Sequence, residues 1–208
     1  LSYTTLFRSF ANRGFMKIIV TGANGLIGST LYRVLSEVAH YEIYGTVRHE
    51  IHKSMFPDAI AGNVIENIDM TDDYTLVDLL KRYRPDFVIN CAGLTKHKTD
   101  SNEPLKSLPI NSLFPHKLVK LCDLVGSKVI HISTDCVFSG FKGGYSEDDQ
   151  PDASDLYGIS KSIGEVVDSN AITIRTSTIG HEKKSTSGLL EWFLSQEKSC
   201  KGYRKAIF

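Results

Sequence analysis

Apolar positions along this chain alternate between two periods. Short apolar runs bounded by glycine or proline give way, again and again, to apolar residues at helical spacing. Lys17-Ile-Ile-Val-Thr21 predicts a buried strand. Leu26, Ile27, Leu31, Val34 and Leu35 then predict a helix over 26–38. Tyr41–Val47 is a second strand, residues 49–63 show no period and are expected to loop, and Val64–Asp69 is a third strand. Asp72 or Asp73 caps a helix to Tyr83, which Pro85 stops before a strand at Asp86–Asn90. Residues 103–125 form a long helical region that starts near Pro104 and is interrupted or offset by Pro109 and Pro115. Strands at Lys128–Ser133 and Ala171–Arg175 flank a helix over 154–169, and another helix starts at Leu189–Leu194. Strands alternating with helices predict an α/β fold, a doubly wound parallel sheet covered on both faces.

Composition narrows the class. The chain has 208 residues, with 24 Lys+Arg against 24 Asp+Glu. Zero net charge removes the electrostatic footprint of a nucleic-acid binder. No apolar run approaches the roughly 18 residues of a membrane span. Cys91, Cys122, Cys136 and Cys200 form no Cys-x-x-Cys pair. They predict reduced thiols, no metal site and a cytoplasmic protein. Residues 1–15 carry Arg8 and Arg13 and lead to the first methionine, Met16; no acid appears before Glu37. They read as a non-native or disordered extension in preference to a transit peptide, leaving 16–208 as one nucleotide-binding domain.

The first strand runs into Thr21-Gly-Ala-Asn-Gly-Leu-Ile-Gly28, which opens the first helix. Gly22 permits a tight turn, Gly25 lets backbone approach a pyrophosphate, and Gly28 permits close helix–sheet packing. With Asn24, Leu26 and Ile27 between them, these glycines predict a dinucleotide seat at a helix N-terminus, and hence a Rossmann fold. The second strand ends at Val47-Arg48-His49. Arg48 there suits a 2′-phosphate, so NADPH is the expected cofactor; Glu50, two residues late, leaves room for NADH.

Tyr157 and Lys161 lie four residues apart in a predicted helix, one turn from each other on one face. A neighbouring ammonium would lower the phenol's pKa from about 10 towards a useful range. Thr134 ends the fifth strand, at the sheet edge where ligands bind, and is placed to hydrogen-bond a substrate oxygen.

Five motifs now stand in order. They are Gly22-x-x-Gly25-x-x-Gly28, Asn90-Cys-Ala-Gly93, Ser133-Thr-Asp-Cys-Val-Phe-Ser-Gly140, Tyr157-x-x-x-Lys161 and Arg175-Thr-Ser177. With Gly144-Tyr-Ser-Glu-Asp148 they make residues 16–208 resemble the extended short-chain dehydrogenase/reductases, and within them the dTDP-4-dehydrorhamnose reductases. The resemblance implies a triad of Thr134, Tyr157 and Lys161. Tyr157 would give a proton to a ketone, Lys161 would hold the nicotinamide ribose and tune Tyr157, and Thr134 would orient the carbonyl. It implies a proton-relay role for Asn111, whose other reading is a helix-kink residue beside Pro109. It also implies adenine contact at Asp69, and a cofactor-lining segment at Asn90, Ala92 and Gly93.

Two departures stand out. Cys136 replaces the family's aromatic residue, which leaves substrate identity open. Thr134-Asp135-Cys136 also lacks the acid of the Thr-Asp-Glu dehydratases, which argues against water elimination. The chain ends at Ala206-Ile-Phe208, where related chains continue into a substrate lobe; that lobe is expected to be largely missing. Lys96, His97 and Lys98 would be the remaining rim for an anionic substrate. The expected activity is NADPH-dependent reduction of a nucleotide-linked 4-keto sugar for surface polysaccharide. The alternatives are a sugar-nucleotide epimerase or a non-catalytic regulatory subunit like that of methionine adenosyltransferase. The expected partner is a nucleotide-sugar substrate, with neither nucleic acid nor membrane, and homodimerisation is left open.

Overall fold

A computed structural model describes residues 14–50, 55–96, 99–181, 188–197 and 199–202. Residues 1–13, His97, Lys98 and the last six residues lie outside this set, and with them most of the expected extension and rim.

Six parallel strands form one sheet in the order β3-β2-β1-β4-β5-β6. They are β1 (Met16–Thr21), β2 (Tyr41–Thr46), β3 (Val64–Ile65), β4 (Phe87–Asn90), β5 (Lys128–Thr134) and β6 (Ala171–Thr176). The intervening helices are α1 (Leu26–Ser36), α2 (Asp58–Ala61), α3 (Asp73–Tyr83), α4 (Pro104–Leu108), α5 (Phe114–Val125), α6 (Leu156–Ile163) and α7 (Leu189–Leu194). This is the doubly wound Rossmann arrangement that the alternating periods predict. The chain crosses from β3 to β4 over β2 and β1, so strand order reverses beside β1. In open α/β sheets, ligands bind at such a reversal, outside the carboxyl ends of the strands.

Alternation along each strand sorts its side chains to two cores. Ile19, Val88 and Val129 face Leu76, Leu79 and Leu80 of α3 and Phe114, Leu118 and Cys122 of α5. Ile18, Val20, Ile43 and Ile89 face the other way, with Tyr32 of α1 and Phe56. Burying a side chain of this size stabilises by roughly 1.5–3 kcal/mol.

Three elements differ from expectation. A short helix, α2, lies within the segment expected to loop. β3 is two residues long instead of six, because Asn67 turns into the left-handed region at φ 60°. The Ile68 N–H still reaches the Val47 carbonyl beyond that break. α6 stops at Ile163 instead of running to 169, because Gly164 and the segment after it turn back to the sheet. The long helical region does break at its prolines. Pro115 lacks the N–H that an α-helix would give to the Asn111 carbonyl. The backbone resets through a π turn, Pro109–Leu113, with the Phe114 N–H bonding the Pro109 carbonyl.

Candidate active site

The carboxyl ends of β1, β4 and β5 meet on one sheet edge, and the residues there are tied by a chain of buried polar bonds. The Thr21 hydroxyl donates to Asn90 Oδ1 at 2.8 Å, and the Ala92 N–H donates to the same oxygen at 3.1 Å. Asn90 Nδ2 lies 3.0 Å from His131 Nδ1. An amide NH2 can only donate, so Nδ1 accepts and the imidazole proton sits on Nε2. Burial, with Lys161 and His116 nearby, drives His131 down to about 3, so the ring is neutral. Asn90 is fully buried. Its bonds tie the end of β1 to the loop after β4. Ala92 and Gly93, which follow, are partly exposed.

The glycine loop fits a dinucleotide. Gly22 has φ +64°, and a Cβ there would lie 3.0 Å from the Ala92 backbone. A Cβ on Gly28 would lie 2.2 Å from the Gly22 carbonyl oxygen. Only glycine at both positions lets the turn close this tightly. Gly25 caps α1 without any side-chain hydrogen bond, and the first turn holds no acid. The N–H groups of that turn thus remain for an anion. Asn24, Leu26 and Ile27 are partly exposed at this mouth.

Arg48 lies just past β2 and Asp69 just past the β3 region, and the structure pairs them at 3.2 Å. Burial pushes the Asp69 carboxyl up, yet bonds from Thr71 and the Arg48 guanidinium outweigh it and hold the group below its ordinary value. Both side chains remain substantially exposed, so the pair stands open to solvent.

Asp155 caps α6 by accepting from the Gly158 N–H at 3.1 Å. The helix brings Tyr157 beside the end of β5, where the Thr134 hydroxyl donates to Asp135 Oδ1 at 3.1 Å and accepts from the Cys136 N–H at 3.2 Å. Burial raises the phenol, Thr134 opposes that, and Cys136, Asp135 and Asp155 add to the rise. The expectation that Lys161 lowers Tyr157 is not met. The buried Lys161 Nζ instead donates to the Ile132 carbonyl at 2.9 Å. Burial lowers Lys161 to about 8, against the pull of Glu165 and Cys91. Near neutral pH the ammonium is still predominantly charged.

Asn111 is buried in the π turn. Its Oδ1 accepts from the Leu94 N–H at 2.9 Å, and its Nδ2 donates to the Leu94 carbonyl and the Ser160 hydroxyl, each at 3.1 Å. All its side-chain hydrogens are thereby engaged in joining the β4 loop to α6. That geometry fits the kink reading.

Sequence reasoning missed the glycines that permit this approach. A Cβ on Gly158 would sit 2.3 Å from the Cys136 carbonyl oxygen, and one on Gly164 1.9 Å from the Asn111 carbonyl oxygen. Their signal was present as small residues flanking the Tyr–Lys helix face. It missed Ser160 and Glu165 as well, whose roles depend on contacts across strands. Among the described residues no cluster of His, Cys, Asp or Glu could hold a metal ion, and no helix is long and apolar enough to cross a membrane.

Comparison with known proteins agrees with this fold. The model of the RmlD substrate binding domain family matches residues 16–199. A probable low-salt glycan biosynthesis reductase, Agl14 of Haloferax volcanii, is 35% identical over 188 residues, covering 86% of this chain and 60% of that protein. A hypothetical dTDP-4-dehydrorhamnose reductase from Sulfolobus tokodaii superposes with TM-score 0.66 at 33% identity, over 77% of this chain and 55% of that one. The dTDP-4-dehydrorhamnose reductase of Bacillus anthracis, solved in complex with NADP, gives TM-score 0.61 at 28% identity, over 79% and 54%. The chain thus spans little more than half the length of these relatives. With its family model matched from β1 to beyond α7, the chain belongs to the RmlD substrate-binding-domain family.

Proposed function

We propose that this chain carries the cofactor half of an NADPH-dependent reductase, which reduces a nucleotide-linked 4-keto sugar in cytoplasmic synthesis of surface-polysaccharide precursors. The observation that carries the reading is the placement of Thr134 at the carboxyl end of β5 beside the helix that carries Tyr157 and Lys161, on the same sheet edge as the glycine loop. When bound, NADPH supplies the hydride. The first turn of α1 and the Gly22–Gly28 loop hold the pyrophosphate. Arg48 reads the adenosine 2′-phosphate, exchanging part of its contact with Asp69 for it. Thr134 orients the ketone oxygen and Tyr157 donates its proton to it. The buried phenol stays protonated, and its proton is what a ketone reduction consumes. The Lys161 ammonium holds the nicotinamide ribose.

The test is NADPH oxidation against a panel of 4-keto sugar nucleotides, measured on the 208 residues and on a version extended to the relatives' length. We expect the 208 residues to bind NADPH with negligible turnover and the extended version to turn over. Tyr157→Phe in the extended version should abolish turnover and leave NADPH affinity nearly unchanged, because only the transferable proton is removed. Equal loss of both would make Tyr157 structural. Cofactor retained through purification would move the reading to an epimerase. A stable protein partner without any turnover would move it to a regulatory subunit.

A further inference from the structure

Two charged residues beyond the triad, Glu165 and the Arg175 of the Arg175-Thr-Ser177 motif, meet behind the end of β5. Glu165 follows the Gly164 turn at the end of α6. Its Oε1 accepts from Arg175 Nε at 2.8 Å and its Oε2 from Arg175 Nη2 at 2.8 Å. The Ser133 hydroxyl donates to the same Oε1 at 2.8 Å. Ser133 immediately precedes Thr134, so the carboxylate grips the strand one residue from the candidate substrate-orienting hydroxyl. The Arg175 guanidinium lies 4.9 Å from the Phe138 ring centroid. Phe138 in turn stacks on Tyr145, with centroids 4.3 Å apart and planes inclined by 17°. Arg175 also donates to the Glu147 carbonyl at 3.3 Å. One ion pair thereby ties β5, the Asp135–Val137 turn, the Gly144–Asp148 loop and β6 into one unit.

The planar fork of arginine matches both carboxylate oxygens, and its flat face suits an aromatic ring; lysine offers neither. The pair is mostly buried, with side-chain exposures of 12% and 23%, so it is weakly screened. Glu165 also stands four residues after Lys161 and is the acid whose charge acts on that ammonium. The other groups facing Lys161 are the Cys91 thiol from the β4 end, pushed up to about 12 by burial, and the neutral His131 of β5.

We propose that Glu165 and Arg175 are positioning residues that hold the Thr134–Phe138 segment against Tyr157 and supply the counter-charge for Lys161. This rests on the reductase reading for its consequence in turnover, but its geometry can be tested without substrate. The experiment follows the Lys161 side chain by ¹³C NMR across pH in lysine-labelled protein. Glu165→Gln removes a negative neighbour and should move the Lys161 midpoint to lower pH. Arg175→Gln leaves the Glu165 charge uncompensated and should move it to higher pH. A structural role alone gives no such opposition of sign. Both midpoints moving together, or either staying at the wild-type pH in a folded variant, overturns the proposal. Each variant carries its own expected sign, so one that folds is enough to decide. Arg175→Lys keeps the charge but loses the fork and the stacked plane. It should leave the midpoint in place and lower kcat several-fold in the extended protein with little change in NADPH affinity. Full kcat in Arg175→Lys removes the positioning of Thr134. A wild-type protein with no turnover, but with the midpoints moving as stated, contradicts the function and leaves the pair standing.

Discussion

Lys161 shows how burial and chemistry oppose each other at one residue. Folding lowers its pKa from 10.5 to about 8. Below about pH 8 both folded and unfolded chains hold the proton, and the folded state bears the full cost of burying the charge. Between about 8 and 10.5 the unfolded chain binds more protons, so this cost is relieved as pH rises. Lys161→Met should therefore raise stability at pH 7 by roughly 1–3 kcal/mol, with the gain fading towards pH 10, while removing turnover. Thermal melts at the two pH values check the sign; a destabilised variant at pH 7 contradicts it. Arg48 lies at the opposite extreme, exposed and paired with an exposed acid. A charge-assisted contact is worth roughly 1.5–3 kcal/mol, so Arg48→Ala should cut the preference for NADPH over NADH about tenfold or more. Equal weakening of both cofactors would remove the 2′-phosphate role. Residue types and spacing made Thr134, Tyr157 and Lys161 legible in the sequence. The direction of the Tyr157 shift was not legible, because it depends on how folding buries the phenol.

At the scale of elements, closeness of backbone decides more than side-chain chemistry. Gly164 lets α6 dock on the π turn, and a methyl group there would meet the Asn111 carbonyl at 1.9 Å. Gly164→Ala should force the helix end away and cost roughly 1–3 kcal/mol or more, as overpacking does. A melting temperature within a degree of wild type would contradict it. The strands and most helices were legible because their apolar periods coincide with the two cores. The ends of β3 and α6 were not. Asn67 at positive φ and the docking of Gly164 are set by tertiary neighbours, and neither changes the local pattern of apolar residues. The π turn was half legible: Pro109 and Pro115 announced an interruption, but not that it buries the Asn111 side chain between two other segments.

At the scale of the molecule, the sheet is unevenly covered among the described residues. On the face that α1 packs, Ile130 and Ile132 of β5 are partly covered, while Ile172 and Ile174 of β6 are 55% and 43% exposed. β6 is an edge strand, and an apolar edge favours association. The 208-residue chain should self-associate as its concentration rises, and Ile172→Thr with Ile174→Thr should weaken this, as read by sedimentation. A monomer at all concentrations would contradict it. The whole architecture nevertheless converges on one place, the glycine loop beside the strand-order reversal. The most direct measurement is titration of NADPH into the wild-type chain and into Gly28→Ala, with circular dichroism to confirm that both are folded. The account predicts saturable binding to wild type, tighter for NADPH than for NADH, and at least tenfold weaker binding in the variant. Absence of saturable binding to the folded wild-type chain, or equal affinity in a folded Gly28→Ala, would contradict it.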